Sequence, residues 1–164
     1  MKVVLTENEI ILATTHGIWR RIRALTRGGS KHLIQYKNPN PWDMDIEAAG
    51  AEMACSRVFN VYWAGTEFRA SADLGEDREV KHTKHNDGCL VMQKDDPDHY
   101  RFILVTGQIP VFHIRGWLLV RDGKKEKYWR NLQSPKTPAF FVPQKDLLPI
   151  EMLLEEAKER NERS

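Results

Sequence analysis

Cysteine is scarce in this chain, with only Cys55 and Cys89 among 164 residues. Two thiols without framework spacing exclude a disulfide-stapled scaffold and favour a reducing interior over secretion. Long apolar runs are missing too: nothing approaches the roughly 18 residues that cross a bilayer. Met1-Lys2-Val3-Val4-Leu5 gives way at once to polar Thr6-Glu7-Asn8-Glu9, unlike a secretory leader. A cytoplasmic protein with no membrane partner is therefore expected. There is no Gly-x-Ser-x-Gly elbow, so Ser/His/Asp catalysis has no support. No Gly-x-x-x-x-Gly-Lys-[Ser/Thr] loop and no dinucleotide fingerprint occur, which excludes P-loop nucleotide hydrolysis and Rossmann-type cofactor binding. An excess of one charge is also lacking, since the formal net charge is +2.

What is present suits a soluble domain with a real core: 41% of residues are hydrophobic and 29% charged. Charge is distributed unevenly. Arg20, Arg21, Arg23, Arg27 and Lys31 cluster early, Lys124, Lys125, Lys127 and Arg130 cluster late, and acids crowd Asp73 to Asp98. Basic flanks around an acidic centre suit a protein that grips phosphates and holds a cation between them. The same runs also describe ordinary solvated faces.

Along the chain, Thr6 and Glu9 predict a capping box opening a helix that runs to about Leu25. Ile11, Ile18, Ile22 and Leu25 recur at helical spacing and predict its buried stripe. Gly28-Gly29 stops it, and a loop from Ser30 to Trp42 follows, with an extended piece at Leu33–Tyr36. Asp43 or Asp45 caps a second helix reaching about Asn60, with Ile46, Ala49, Met53 and Val58 toward the core. Short strands are expected at Val61–Trp63, Phe68–Asp73 and Arg78–Thr83. Cys89–Gln93 reads as a strand or a helical turn. Tyr100–Thr106 and Val111–Val120 are rich in β-branched and aromatic residues and read as strands, and Asp122-Gly123 as a turn. A Pro-rich arm carries a strand at Ala139–Val142, and a helix spans Leu147–Glu159. With no repeat and no domain boundary, the order predicts one α+β (α/β-like) domain over residues 1–164, a central mixed sheet flanked by helices. Within it, 1–42 forms the N-terminal helix and loop, 43–120 the core with the candidate site, and 121–164 the C-terminal arm and helix.

The chemistry gathers around Asp73-Leu74-Gly75-Glu76-Asp77-Arg78-Glu79-Val80-Lys81. Glu79 and Lys81 lie two apart on a strand, so they leave the same face. Asp73 ends the preceding strand, and the turn lets it return beside Glu79. Glu52 sits mid-helix among Ala51, Met53 and Ala54, where a carboxylate needs a reason. Glu47 is the other candidate, but near the helix start an acid merely complements the dipole. Three carboxylates and an ammonium from three adjacent elements suit Mg²⁺ or Mn²⁺ bound through oxygen, with water and a phosphate filling the remainder.

A helix Glu, then Asp, a turn, and Glu-x-Lys resembles the PD-(D/E)XK nuclease superfamily, at Glu52, Asp73, Glu79 and Lys81. The wider chain is also similar to tailed-phage proteins of no assigned activity. The segments are Gly50-Ala51-Glu52-Met53-Ala54, Asp73-Leu74-Gly75, Glu79-Val80-Lys81-His82-Thr83, Gly116-Trp117 and Phe140-Phe141-Val142-Pro143-Gln144. The resemblance implies a restriction-endonuclease-like core and a Mg²⁺-dependent endo- or exonuclease that hydrolyses phosphodiester bonds, in host cytoplasm if phage-encoded. Asp73 and Glu79 would ligate the metal, Glu52 would bind it through water or at a second site, and Lys81 would position the attacking water. DNA is the expected partner, with RNA as the alternative, gripped by Arg20, Arg23, Lys31, Lys127 and Arg130. Paired cuts by such folds often need a homodimer. The pattern departs from the superfamily in having Ala72 where a Pro is common, and little room for a helix after Lys81. The alternative reading is a non-catalytic phage interaction or nucleic-acid-binding protein on the same fold, with Asp73, Glu79 and Lys81 in mutual ion pairs.

Two lesser constellations remain. His82, His85 and Cys89, with Cys55 or His99, supply zinc-type ligands without a paired signature. Trp129 in Lys127-Tyr128-Trp129-Arg130 suits either stacking on an unpaired base or packing under the tail.

Overall fold

Thr6 and Glu9 cap the first helix reciprocally. The Thr6 N–H donates to Glu9 Oε2 at 2.7 Å, and the Glu9 N–H donates to Thr6 Oγ1 at 3.4 Å. The computed structural model describes residues 1–26, 40–63, 65, 72–131 and 138–162. Helix α1 spans Glu7–Thr26 and helix α2 spans Pro41–Phe59. Asn40, rather than Asp43 or Asp45, caps α2: its side chain accepts from the Asp43 N–H at 3.4 Å, and Pro41 takes the first helical position. Gly28-Gly29, the Leu33–Tyr36 piece and most of the Phe68–Asp73 strand lie outside the described residues.

α1 does not bury the predicted stripe. Ile11, Ile18, Ile22 and Leu25 face outward, Ile11 at 58% and Leu25 at 66% exposure, while Ala13, Gly17 and Arg21 are buried. The reason is close approach. A Cβ on Gly17 would lie 2.5 Å from the Ile46 Cα, so only a small-residue face fits against the α2 backbone. Arg21 can line that face because its guanidinium reaches the start of α2, donating to the Pro41 carbonyl at 2.8 Å and pairing with Asp45 at 2.7 Å.

The main sheet contains β1 (Lys2–Val4), β2 (Arg78–Thr83), β4 (Arg101–Gln108) and β5 (Val111–Leu119), in the order β1-β5-β4-β2. β2 runs parallel to β4 and the other pairs are antiparallel, which makes the sheet mixed. Val61–Trp63 is not a strand, and β1 was not visible in the pattern because three residues carry little periodicity. β3 (Leu90–Met92), β6 (Trp129–Arg130) and β7 (Ala139–Val142) form a second sheet, ordered β3-β7-β6. Val120–Gly123, expected to hold a turn, forms one helical turn, α3, and the last helix, α4, spans Ile150–Glu162.

Alternation along β4 and β5 serves two cores. Ile103, Val105, Phe112 and Ile114 meet Ala51, Ala54 and Cys55 of α2 and Ile150 and Leu153 of α4. On the other side, Phe102, Leu104 and Leu118 meet Leu90, Met92, Tyr128 and Val142 around the second sheet. The result is an α+β domain. The connection from β2 to its parallel neighbour β4, residues 84–100, carries strand β3 and no helix. Such crossovers are usually helical. Among the described residues no helix is long and apolar enough to cross a membrane.

Candidate active site

β2 is the outermost named strand of its sheet, so half of its N–H groups point away from β4. Asp73 supplies one of them with an acceptor: the Val80 N–H donates to Asp73 Oδ2 at 2.8 Å. The turn between makes this possible. The Leu74 N–H donates to the Arg78 carbonyl at 3.0 Å, Leu74 is fully buried, and Gly75 adopts the left-handed φ of 70° that closes the loop. The turn thereby brings Asp73 alongside the strand that bears Glu79 and Lys81.

Glu79 and Lys81 share a face of β2. The Lys81 ammonium donates to Glu79 Oε1 at 3.2 Å and sits 4.3 Å from the centre of the Phe102 ring. Both side chains keep about a third of their surface in solvent, 33% for Lys81 and 28% for Glu79.

Glu52 is buried in the middle of α2 at 6% exposure. Arg20 reaches across from α1 and donates Nη1 to Oε1 at 2.7 Å and Nη2 to Oε2 at 2.5 Å. The indole N–H of Trp63 donates to Oε2 at 3.1 Å. Both carboxylate oxygens are thus engaged within the protein. Burial works against the charge of Arg20, but its bond to Glu52 and the charges of Glu52, Asp73 and Asp45 raise its pKa overall.

Asp73 joins these groups electrostatically. Burial, followed by the charges of Glu52 and Glu79, pushes its carboxyl well above the usual carboxylate range. The Val80 N–H and Lys81 pull in the opposite direction. The Cys55 thiol, buried beneath, is held protonated by burial and then by Asp73 and Glu52. Glu52, Asp73, Glu79 and Lys81 therefore fall in one electrostatic neighbourhood. Among the described residues no three His, Cys, Asp or Glu side chains are grouped so as to hold a metal ion.

Glu47, the other acid weighed on α2, accepts the Ile109 N–H at 2.8 Å and so ties α2 to the turn between β4 and β5. His82 leaves the opposite face of β2 from Lys81. Its Nε2 bonds the Gly107 carbonyl at 2.8 Å, its ring stands edge-on to Phe112, and burial lowers its pKa. Cys55 is buried in the helix-side core.

The basic residues divide by location. Arg20 is occupied at Glu52, with 16% of its side chain exposed. Arg23 stacks on Trp19, 3.6 Å from the ring centre. Lys31 lies outside the described residues. Lys127 pairs loosely with Asp146 at 3.8 Å, and Arg130 donates to the Lys127 and Trp129 carbonyls at 2.9 and 2.8 Å. Trp129 packs against Phe140 at 4.9 Å between ring centres, and the Lys94 ammonium sits 4.5 Å from the centre of the Trp129 ring.

Two partnerships were not read from the sequence. One is the Arg20–Glu52–Trp63 group. The available signal was an acid buried in an apolar helix, which requires a cation from a neighbouring element. The other is a charged cluster where β2 meets α4: Asp77 pairs with Arg101, which also reaches Glu156 at 3.3 Å. No sequence spacing links Arg101 to Asp77 or Glu156.

No protein-family model, curated protein or solved structure matches the chain.

Proposed function

We propose that the chain is a divalent-cation-dependent nuclease acting on DNA, with its site along the outer edge of β2. The supporting observation is Asp73, placed by a tight turn among Glu52, Glu79 and Lys81, its carboxyl pushed upward by burial and by two neighbouring acids. A divalent cation bound beside Asp73 would relieve the repulsion that neighbouring acids impose on its ionised form.

Asp73 and Glu79 fit Mg²⁺ or Mn²⁺ as oxygen donors, whereas Glu52, with both oxygens engaged, fits only through water. A bound divalent ion would polarise a scissile phosphate and lower the pKa of a water. The chain's own residues supply the rest. Lys81, about a third of its surface in solvent beside Glu79, holds a water or a phosphate oxygen and offsets developing negative charge. The Val80 N–H fixes the orientation of Asp73. Arg20 holds Glu52 in one rotamer, so the acid at the back of the site does not wander. Arg23, Lys127 and Arg130 remain the candidate contacts to the DNA backbone.

The second reading is a non-catalytic interaction protein on this fold. The pairing of Glu79 with Lys81 and of Glu52 with Arg20 favours it, because both acids have cations of the chain's own. One pair of measurements separates the two. Calorimetric titration with Mg²⁺ and Mn²⁺ gives binding in the wild type and none in Asp73→Ala under the nuclease reading, and cleavage of DNA follows binding. Absence of any DNA or RNA cleavage with either ion removes the enzyme reading.

A further inference from the structure

A polar row crosses the main sheet on the face that carries Lys81. Thr83 of β2 pairs with Thr106 of β4, Thr106 with His113 of β5, and His113 with Lys2 of β1. Directly paired residues leave a sheet on the same side, so the four side chains share one face. Lys81, two residues before Thr83 on β2, shares it too. On the opposite face, Val105 and Phe112 belong to the core against α2.

Arg115 lies over the middle of the row. Leu104 pairs with Gly116 and Val105 with Ile114, which leaves Arg115 as the extra residue of a β-bulge, a device that re-aims a side chain. Its Nε donates to Thr106 Oγ1 at 2.7 Å and its Nη2 to Asn86 Oδ1 at 3.3 Å. Both partners are neutral, so the guanidinium is oriented without its charge being cancelled. Arg20, Arg21, Arg57 and Arg101, in contrast, each meet a carboxylate. Among the described residues, Lys2, His113 and Arg115 make no ion pair with an acid. Burial, and then the charges of Arg115 and Lys2, lower the His113 pKa, so the three groups converge. Lys2 is exposed, and His113 and Arg115 are partly exposed.

The length of the row selects the ligand. Three strand spacings separate β1 from β2, about 14 Å. A lone phosphate covers a fraction of that length, whereas a DNA strand, with one charge per about 3.4 Å of rise, sets roughly four phosphates along it. At its β2 end the row continues to Lys81.

We infer that the row from Lys2 through His113 and Arg115 is a track for the backbone of a DNA strand, leading to the candidate site on β2. The inference rests on the nuclease reading for where the track leads; binding along it does not need an active site.

The test is fluorescence anisotropy of a labelled DNA of about 15 nucleotides, single-stranded and as duplex, with the full chain in EDTA, where a divalent-dependent site does not cut. Lys2→Gln and Arg115→Gln should each raise the dissociation constant at least about threefold and flatten the slope of log affinity against log salt by about 0.7 to 0.9. Arg115→Lys, which keeps the charge, should restore the slope. Lys158→Gln, an equal loss of charge at an exposed position of α4, should change neither. Lys2 is exposed, so its variant reads the track even if Arg115→Gln does not fold. No binding of either DNA at about 100 µM protein in about 50 mM salt, or binding unmoved by Lys2→Gln and Arg115→Gln, overturns the track. Attachment to phosphatidylserine vesicles that these variants weaken, with no DNA bound, overturns DNA as the occupant. DNA binding that depends on Lys2 and Arg115, without cleavage in Mg²⁺, keeps the track and removes the enzyme. Cleavage in Mg²⁺ with binding indifferent to both residues does the reverse.

Discussion

Arg20 grips both oxygens of Glu52, at 2.7 and 2.5 Å, from a different helix and 32 residues away in sequence. This fork decides how α1 sits on α2 at the level of the site. Removing one partner of a buried pair leaves the other charge without compensation, which costs about 3 kcal/mol. Arg20→Ala should therefore lose about that much in urea unfolding. Replacing both partners, Arg20→Met with Glu52→Met, should recover much of it. A loss below 0.5 kcal/mol for Arg20→Ala would mean that the fork is incidental.

Asp73 makes the fold pH-dependent in a definite direction. Its carboxyl titrates above the ordinary range in the native state, while in the unfolded chain it ionises near about 4. Between those values the unfolded state binds fewer protons, so the contribution of Asp73 to stability falls as pH rises. Asp73→Asn keeps an oxygen for the Val80 N–H and removes the charge. Unfolding curves of the two proteins should coincide near pH 4 and separate toward pH 8, with the variant the more stable. A variant less stable at pH 8 would show that the charge contributes favourably there.

Lys81 and Glu79 are a partly exposed pair, and such pairs contribute at most about 1 kcal/mol to folding. Lys81→Ala should leave the melting temperature within a few degrees of wild type. If β2 carries a nuclease site, the same change should lower Mg²⁺-dependent cleavage at least 100-fold, about 2.7 kcal/mol of transition-state stabilisation. Equal cleavage by both proteins would remove Lys81 from the chemistry.

Gly17 and Ile11 reverse the ranking that side-chain size suggests. A methyl on Gly17 would lie 2.5 Å from the Ile46 Cα and must force α1 away from α2. Gly17→Ala should destabilise by 2 kcal/mol or more despite its gain in helix propensity, which is about 1 kcal/mol. Ile11→Ala, at an exposed position, should stay within about 0.5 kcal/mol when measured at low micromolar concentration.

Elements with strong local chemistry are legible in the sequence. The Thr6–Glu9 box, the strands over Arg78–Thr83 and Ala139–Val142, and the two long strands between Tyr100 and Val120 follow from caps and β-branched runs. The strand at Leu90–Met92 was one of two alternatives, and its partner β7 lies too far along the chain for periodicity to indicate. Periodicity marks the wrong face of α1 as buried because it weights large side chains. Ala13 and Gly17 bury more completely, since tight helix packing depends on backbone approach rather than on apolar volume. In the candidate site, Glu52 was legible as a charge out of place, and Asp73 through its turn. That Arg20 would be the residue holding Glu52 was not legible, since α1 offers Arg20, Arg21 and Arg23 and only the packing of two helices selects among them.

The excursion of the chain from β2 through β3 to β4 also bears on the order of synthesis. β3 pairs with β7, whose residues Ala139–Val142 lie some fifty positions downstream of Leu90–Met92. The segment that links the two parallel strands is therefore pinned by a strand made late. As the chain leaves the ribosome, β2 can meet β4 early, but the link stays loose until β7 emerges and closes over it. The crossover between the two parallel strands of the main sheet thus gains its own strand partner only after the chain has been made as far as Val142.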